Sequence, residues 1–403
     1  MRLAPSGEQN HFAAVLHEML SEAPAHDGAG PDRRLWAALG DAGVTGLMIP
    51  ERAGGLGAGA DDLVIACEQL GRHAVAGPVA ESVAAVPLLL GPDDERLAGL
   101  AAGQVIASLA APPWLPYALD GDSADLILLV DGDAVRLGRA GAVHQSADPA
   151  RRLADVECGA LLGTGRPIRQ ALDLGVLACS AQLLGAGQAL LDMSVGYART
   201  RTQFGRPIGS FQAVRHRLAD VAVALDFARP LLYAAAVAWT GPHLGAAAIR
   251  HLAADHAAAA VRDTAGHPGA AAVRDTAADL DAGRDVSAAK VACGQAALLA
   301  ARTALQVHGA IGYTAEHRLG RHLTLVRALH LSWGTPDQHR ARVLAAITGT
   351  GTAPDGRATA GDPAPQPVSR LGAASGADVA WPSRGCPESA GAGIARTDGK
   401  GSE

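Results

Sequence analysis

Aromatic residues are scarce in this 403-residue chain, at 3% of the total. Sheet sandwiches fill their interiors with aromatic and β-branched side chains. An apolar fraction of 49% with so few rings, much of it alanine, favours close-packed helices instead. A basic surplus is also missing. The formal net charge is −6, which argues against nucleic acid or an anionic membrane as partner. The five cysteines, at 67, 158, 179, 293 and 386, form no CxxC pair. Neither a zinc site nor a disulfide framework is indicated, and a reducing compartment is expected. The opening stretch "MRLAPSGEQNHFAAVLHEML" carries acids and histidines where a leader peptide needs an apolar run. No stretch approaches the roughly 18 apolar residues of a membrane span. The expectation is a cytoplasmic protein with no membrane span and no nucleic-acid partner, long enough for two or three domains.

What is present falls into blocks. Residues 1–102 read as helices: "DRRLWAALGDAGVTGL" has an N-cap candidate at Asp32 and Leu35, Leu39 and Val44 on one stripe. Between 103 and 166 the period shortens. The runs "VIASLAA", "ADLILLV", "AVRLG" and "RLADVEC" have strand length, with Asp131-Gly132-Asp133 as a hairpin turn. Long helical patterns return over 167–349, with Pro230 as a kink candidate and Gly309 as a terminator. "AAAVRDTA" occurs at 258–265 and again at 270–277, which reads as an insertion in a helix–helix connection. Residues 350–403, rich in Gly, Pro, Ala and Ser without apolar period, read as a disordered tail. The order is helical block, small β section, helical bundle. It is unlike an alternating βαβ chain, and no GxGxxG follows a strand pattern.

Two segments of the second helical block could carry chemistry. "RTRTQFGRPIGSFQAVRH", 199–216, joins two helices and is dense in arginine. Arginine forks beside a helix start suit a phosphate or pyrophosphate, though a solvated basic loop has the same composition. "QVHGAIGYTAEHRLGRH", 306–322, has glycines that permit a close approach of a ligand, or an ordinary helix C-cap.

Together they resemble the acyl-CoA dehydrogenase family, in which R-x-x-F-G-x-x-I-x-x-x-Q is followed later by Q-x-x-G-G-x-G-[FY]-x-x-E. Here these read Arg201, Phe204, Gly205, Ile208, Gln212, then Gln306, Gly309, Ala310, Gly312, Tyr313, Glu316. "LGDAGVTGLMIPERAGGLGA", 39–58, is similar to the family's N-terminal helical domain. The resemblance implies a mainly α fold with a small β domain, in the family's α–β–α architecture, ending in a four-helix bundle. It implies FAD held between subunits, with Arg201, Phe204, Ile208, Phe211, Gln306, Gly309 and Thr335 as contacts.

The family's reaction takes a proton from the α-carbon of an acyl-CoA while hydride passes from the β-carbon to the flavin. The base is usually a glutamate directly before a Gly-Thr pair. Here Trp333 precedes Gly334-Thr335, and an indole N–H is a donor only. Members with the base on an earlier helix place it at Leu174 or Gly175, where Asp173 is the nearest acid and also suits an N-cap. The family's T-E-P-x-[AS]-G-S-D segment is absent: "PPWLPYALDGDS" stands there, and Thr324-Leu325 replaces an Arg-Asp pair. Adenosine-side elements are kept and ring-side elements lost. The resemblance therefore implies a non-catalytic, FAD-sharing subunit whose partner, in a dimer or tetramer, carries the glutamate. Trp333 would fill the vacant acyl pocket. An active homomer with a replacement base or oxygen-using chemistry, and a flavin-free scaffold, are the alternatives.

Overall fold

The structure is a computed structural model that describes residues 4–24, 28–256, 268–314 and 317–348. For 241–256, 268–281 and Tyr313 the backbone alone is described. The tail and Glu316 lie outside the described residues.

The N-terminal helices are α1 (Gly7–Glu22), α2 (Arg33–Asp41) and α3 (Ala60–Arg72). Asp32 caps α2 as expected, its carboxylate accepting from the Arg34 backbone N–H. A π-helical turn, Ala80–Ala85, leads into α4 (Val86–Leu90), and α5 (Arg96–Ala101) follows. The π turn is wholly buried and contains Glu81.

Five strands come next: β1 (Ala107–Ala110), β2 (Ala118–Leu119), β3 (Leu126–Asp131), β4 (Ala134–Gln145) and β5 (Arg152–Thr164). They form one sheet in the order β1-β3-β4-β5-β2, with β1 and β3 parallel and the other pairs antiparallel. The turn expected at Asp131-Gly132-Asp133 is there: Asp131 pairs with Ala134, and Gly132 takes φ +65°. The two-residue β2 left no apolar run long enough to see.

The bundle consists of α6 (Ile168–Thr200), α7 (Gln212–His256), α8 (Pro268–His308), α9 (Leu319–Leu331) and α10 (Pro336–Thr348). A small ladder, β6 (Thr202–Gln203) and β7 (Arg206–Pro207), lies in the α6–α7 connection. Helix α6 packs on α3, α7, α8, α9 and the π turn. Its Leu174, Leu177, Leu183, Leu184 and Leu190 are fully buried, each contributing roughly 1.5–3 kcal/mol by leaving water. Glu68 on α3 accepts from Arg229 on α7 at 2.9 Å, an ion pair that ties the N-terminal block to the bundle.

Several expectations need correction. Asp173 is not an N-cap, because α6 begins five residues earlier, at Ile168 after Pro167. Helix α7 continues through Pro230. The second "AAAVRDTA" copy belongs to α8, not to a connection; the first lies outside the described residues. Among the described residues Cys67, Cys179 and Cys293 are free and buried. Among the described residues, two helical stretches are long and apolar enough to cross a membrane by length and composition alone: Ile168–Thr200, 94% buried over its apolar window, and Gln212–Thr240, 39% buried. The first is the centre of the bundle.

Candidate functional site

The arginine-rich loop is a tight hairpin. Thr202 pairs with Pro207 and Gln203 with Arg206, leaving Phe204 and Gly205 as the turn. Both take positive φ, +53° and +76°, as a type I′ turn requires. Phe204 is thereby held 91% exposed at the apex. The Arg201 carbonyl accepts from the Ile208 N–H at 2.8 Å, and Arg206 lies 4.2 Å over the Phe211 ring. The Arg201 side chain is exposed and makes no ion pair among the described residues.

The second segment comes to the same end of the bundle. His308, the last residue of α8, stacks on Tyr197 of α6 at 4.5 Å, four residues before Arg201. Gln306 and Gly309 are exposed, and Gly309 turns the chain at φ +61° with nothing within 4 Å of where a Cβ would stand. Exposed positions Gln295, Leu299, Arg302 and Gln306 repeat at helical spacing along one face of α8, which ends beside the exposed Gly309. That face runs from the loop end to a groove of about 640 Å³ that includes Thr335, Arg302 and His330. The Thr335 hydroxyl accepts from the Gln338 N–H at 3.3 Å, capping α10. The structure thus brings Arg201, Phe204, Ile208, Phe211, Gln306 and Gly309 to one end of the bundle. Thr335 sits at the far end of the same α8 face.

The interior beneath Thr335 is filled. Trp333 is 1% exposed and takes φ +60°, a left-handed conformation that costs a non-glycine residue about 1–3 kcal/mol. Its ring lies on Gly175 of α6, so closely that a Cβ there would fall within the indole. Trp333 and Gly175, positions at which the resemblance leads one to look for a base, therefore touch, and neither is an acid. The indole N–H donates to the carboxyl of Glu81, in the π turn. The Trp333 carbonyl accepts from His339 Nε2 at 2.8 Å, so Nδ1 accepts from Ser287 Oγ at 3.1 Å. Burial holds this imidazole neutral, its pKa lowered to about 3. Above the loop, Trp114 of the β section lies against Gly334 and edge-on to His339 at 5.1 Å.

Two carboxyls line this region. Asp173 receives both guanidinium nitrogens of Arg342, at 2.5 and 2.9 Å, with 7% of its side chain exposed. A carboxylate so engaged is not placed as a free base. Glu81 is the residue that sequence reasoning missed. Burial raises its pKa to about 7, against the smaller opposing effects of Arg151 and the indole N–H. Only its place in an apolar run marked it, an acid inside "GPVAESVAAVPLLL".

A helical block, a small sheet and a long helical bundle, in that order, define the class. The comparisons then give the family. The acyl-CoA dehydrogenase N-terminal domain model matches residues 9–95, and the C-terminal domain model matches 163–274 and 246–348. This chain belongs to the acyl-CoA dehydrogenase family, a family of FAD flavoprotein oxidoreductases. It is 36% identical over 234 residues to acyl-CoA dehydrogenase IpdE2 of Mycobacterium tuberculosis, covering 57% of this chain and 71% of that one. Butyryl-CoA dehydrogenase of Megasphaera elsdenii has the same fold, with TM-score 0.67 and 20% identity over 86% of this chain and all of that one. So does a chain of the ChsE4-ChsE5 complex of Mycobacterium tuberculosis, with TM-score 0.66 and 23% identity over 87% of this chain and all of that one.

The family's cofactor fits this chain in one half. The exposed Arg201 hairpin and the uncovered backbone at Gly309 suit a dinucleotide's pyrophosphate and adenosine. Around Gly334 the space is occupied by this chain's own side chains: Trp114 lies against Gly334, and Trp333 is buried below it.

Proposed function

We propose that this chain is the flavin-sharing subunit of a heteromeric acyl-CoA dehydrogenase, one that oxidises an acyl-CoA to the 2,3-enoyl-CoA, and that it has no catalytic glutamate of its own. The observation that carries this reading is Trp333, buried on Gly175 where a base and an acyl chain would have to stand. Bound FAD would supply the hydride acceptor, at a ring held by the partner. This chain's residues bind and orient: the Arg201 guanidinium neutralises pyrophosphate charge across the interface, and Phe204, Ile208 and Phe211 cover its apolar flank. Gln306 and Gly309 receive the adenosine half, Gly309 because bare backbone lets a ligand approach. Thr335 stands at the far end of the groove, its hydroxyl shared with the α10 cap. The solved ChsE4-ChsE5 complex, a two-protein assembly of this fold, is a precedent for the heteromer.

The test is the flavin-to-protein ratio, read by absorbance, of the chain alone and co-expressed with a family member that has a glutamate before its Gly-Thr. Little flavin alone and about one FAD per heterodimer are expected, with Arg201→Ala lowering the second value. Full flavin in the lone chain, bleached by an acyl-CoA, would overturn the reading. It would turn attention to Glu81, the one buried acid beside the indole that no arginine pairs in a bidentate grip.

A further inference from the structure

The chain has two lysines among its 34 basic residues, Lys290 and Lys400. Lys290, on α8, is 3% exposed. Its ammonium nitrogen is 2.6 Å from the Leu329 carbonyl and 3.1 Å from the sulfur of Cys179, on α6, which is itself fully buried. The same sulfur faces the Leu329 and Ser332 carbonyls, at 3.5 and 4.0 Å. Among the described residues no carboxylate forms an ion pair with Lys290, so the thiol is its one side-chain partner. Burying an amine without a carboxylate is costly, and arginine serves almost everywhere else in this chain. A primary amine offers what guanidinium does not, a nitrogen that becomes a nucleophile on losing its proton. The other two free thiols differ. Burial raises the pKa of Cys293 to about 12 and that of Cys67 as well, and neither has a lysine nitrogen at hydrogen-bond distance among the described residues.

We infer that Cys179 and Lys290 are a redox pair that closes a covalent sulfur–nitrogen cross-link between α6 and α8 when a peroxide-class oxidant reaches them. In the first step the thiol sulfur takes one oxygen from the peroxide, giving a sulfenic acid and water; sulfur loses two electrons and the peroxide gains them. In the second, the unprotonated amine attacks sulfur, the S–O bond breaks, and the departing hydroxide leaves with an amine proton as water. The sulfenamide keeps one N–H for the Leu329 carbonyl. Added thiol reverses the bond by attack at sulfur, releasing the amine. The pair lies beneath Leu329–Ser332, and His330 and Leu331 of that segment line the 640 Å³ groove, a short path for a small oxidant. Gly175 is one helical turn before Cys179, so the cross-link would form directly below the segment that carries Trp333.

The experiment is peptide mass mapping of the full chain, as purified and after hydrogen peroxide, digested without reductant. A branched peptide joining the Cys179 and Lys290 segments, lighter than their sum by two hydrogens and lost on adding dithiothreitol, is expected. An amine-reactive label applied after denaturation should then reach Lys290 in the reduced chain and miss it in the oxidised one, a readout that needs no variant. Lys290→Met and Cys179→Ala should each abolish the branched species. Sulfinic or sulfonic oxygen on Cys179 with Lys290 still labelled, or no change at either residue, would overturn the inference.

Discussion

Gly175→Ala is the sharpest probe of the plugged interior, because its sign depends on a residue 158 positions away in sequence. In an exposed helix the change stabilises by about 1 kcal/mol, since alanine loses less backbone entropy than glycine. Here the new methyl would fall within the Trp333 ring, which Glu81 holds at its N–H and His339 at its carbonyl. The indole must shift or α6 must move. Overpacking of this kind costs roughly 1–3 kcal/mol and exceeds the helical gain. Trp333→Ala alone removes the indole and should cost about 3–5 kcal/mol, less whatever strain the left-handed backbone releases. In that background Gly175→Ala puts a methyl into empty space. It should then stabilise by about 1–2 kcal/mol, from helix propensity plus roughly 0.8 kcal/mol for the buried carbon. The double-mutant cycle should show a coupling of about 3 kcal/mol, measured as urea midpoints of the four chains by circular dichroism. Additivity within about 0.5 kcal/mol would refute the reasoning, because the indole would then not rest on Gly175 in solution.

Glu81→Gln tests the buried carboxyl through pH. The folded state holds this proton to about pH 7, where an exposed glutamic acid releases it near 4.5, so stability is present at low pH and falls as pH rises between those values, by about 3 kcal/mol. The variant should match the parent at pH 4 and exceed its melting temperature at pH 8. His339 and His73, lowered to about 3 and about 4 by burial, slope the other way below pH 6.5 but are common to both chains and cancel in the difference. Equal melting temperatures at both pH values would mean that the carboxyl is solvated. Asp173→Asn breaks the grip on Arg342 and leaves a guanidinium with 16% of its side chain exposed, so a loss of about 3–5 kcal/mol is expected in urea unfolding. Unchanged stability, with loss of turnover in the assembled enzyme, would return Asp173 to the role of base.

Local features were the ones legible beforehand. A hairpin turn at Gly132, a cap at Asp32 and a terminator at Gly309 each depend on a few adjacent residues, and all three are where their chemistry puts them. The Arg201 segment read only as a loop, and the structure makes it a hairpin turned at Phe204-Gly205. What was not legible depends on pairs far apart in the chain. Asp173 looked like a cap because its neighbours could not reveal that Arg342, 169 residues later, grips it. Glu81 lies in a run whose helical period is broken by a π turn, so no stripe showed which way it faced. Its partner is an indole whose position stood out only as a missing acid. Gly175 was one of two positions the resemblance offered for a base, and the structure gives its missing side chain a reason: a methyl there would fall within the Trp333 ring. Trp333, Gly175 and Glu81 have to be read as a single packed unit, with the indole's apolar face on one partner and its N–H on the other. The space beneath Gly334 is filled by that unit, with Trp333 1% exposed and its ring on Gly175.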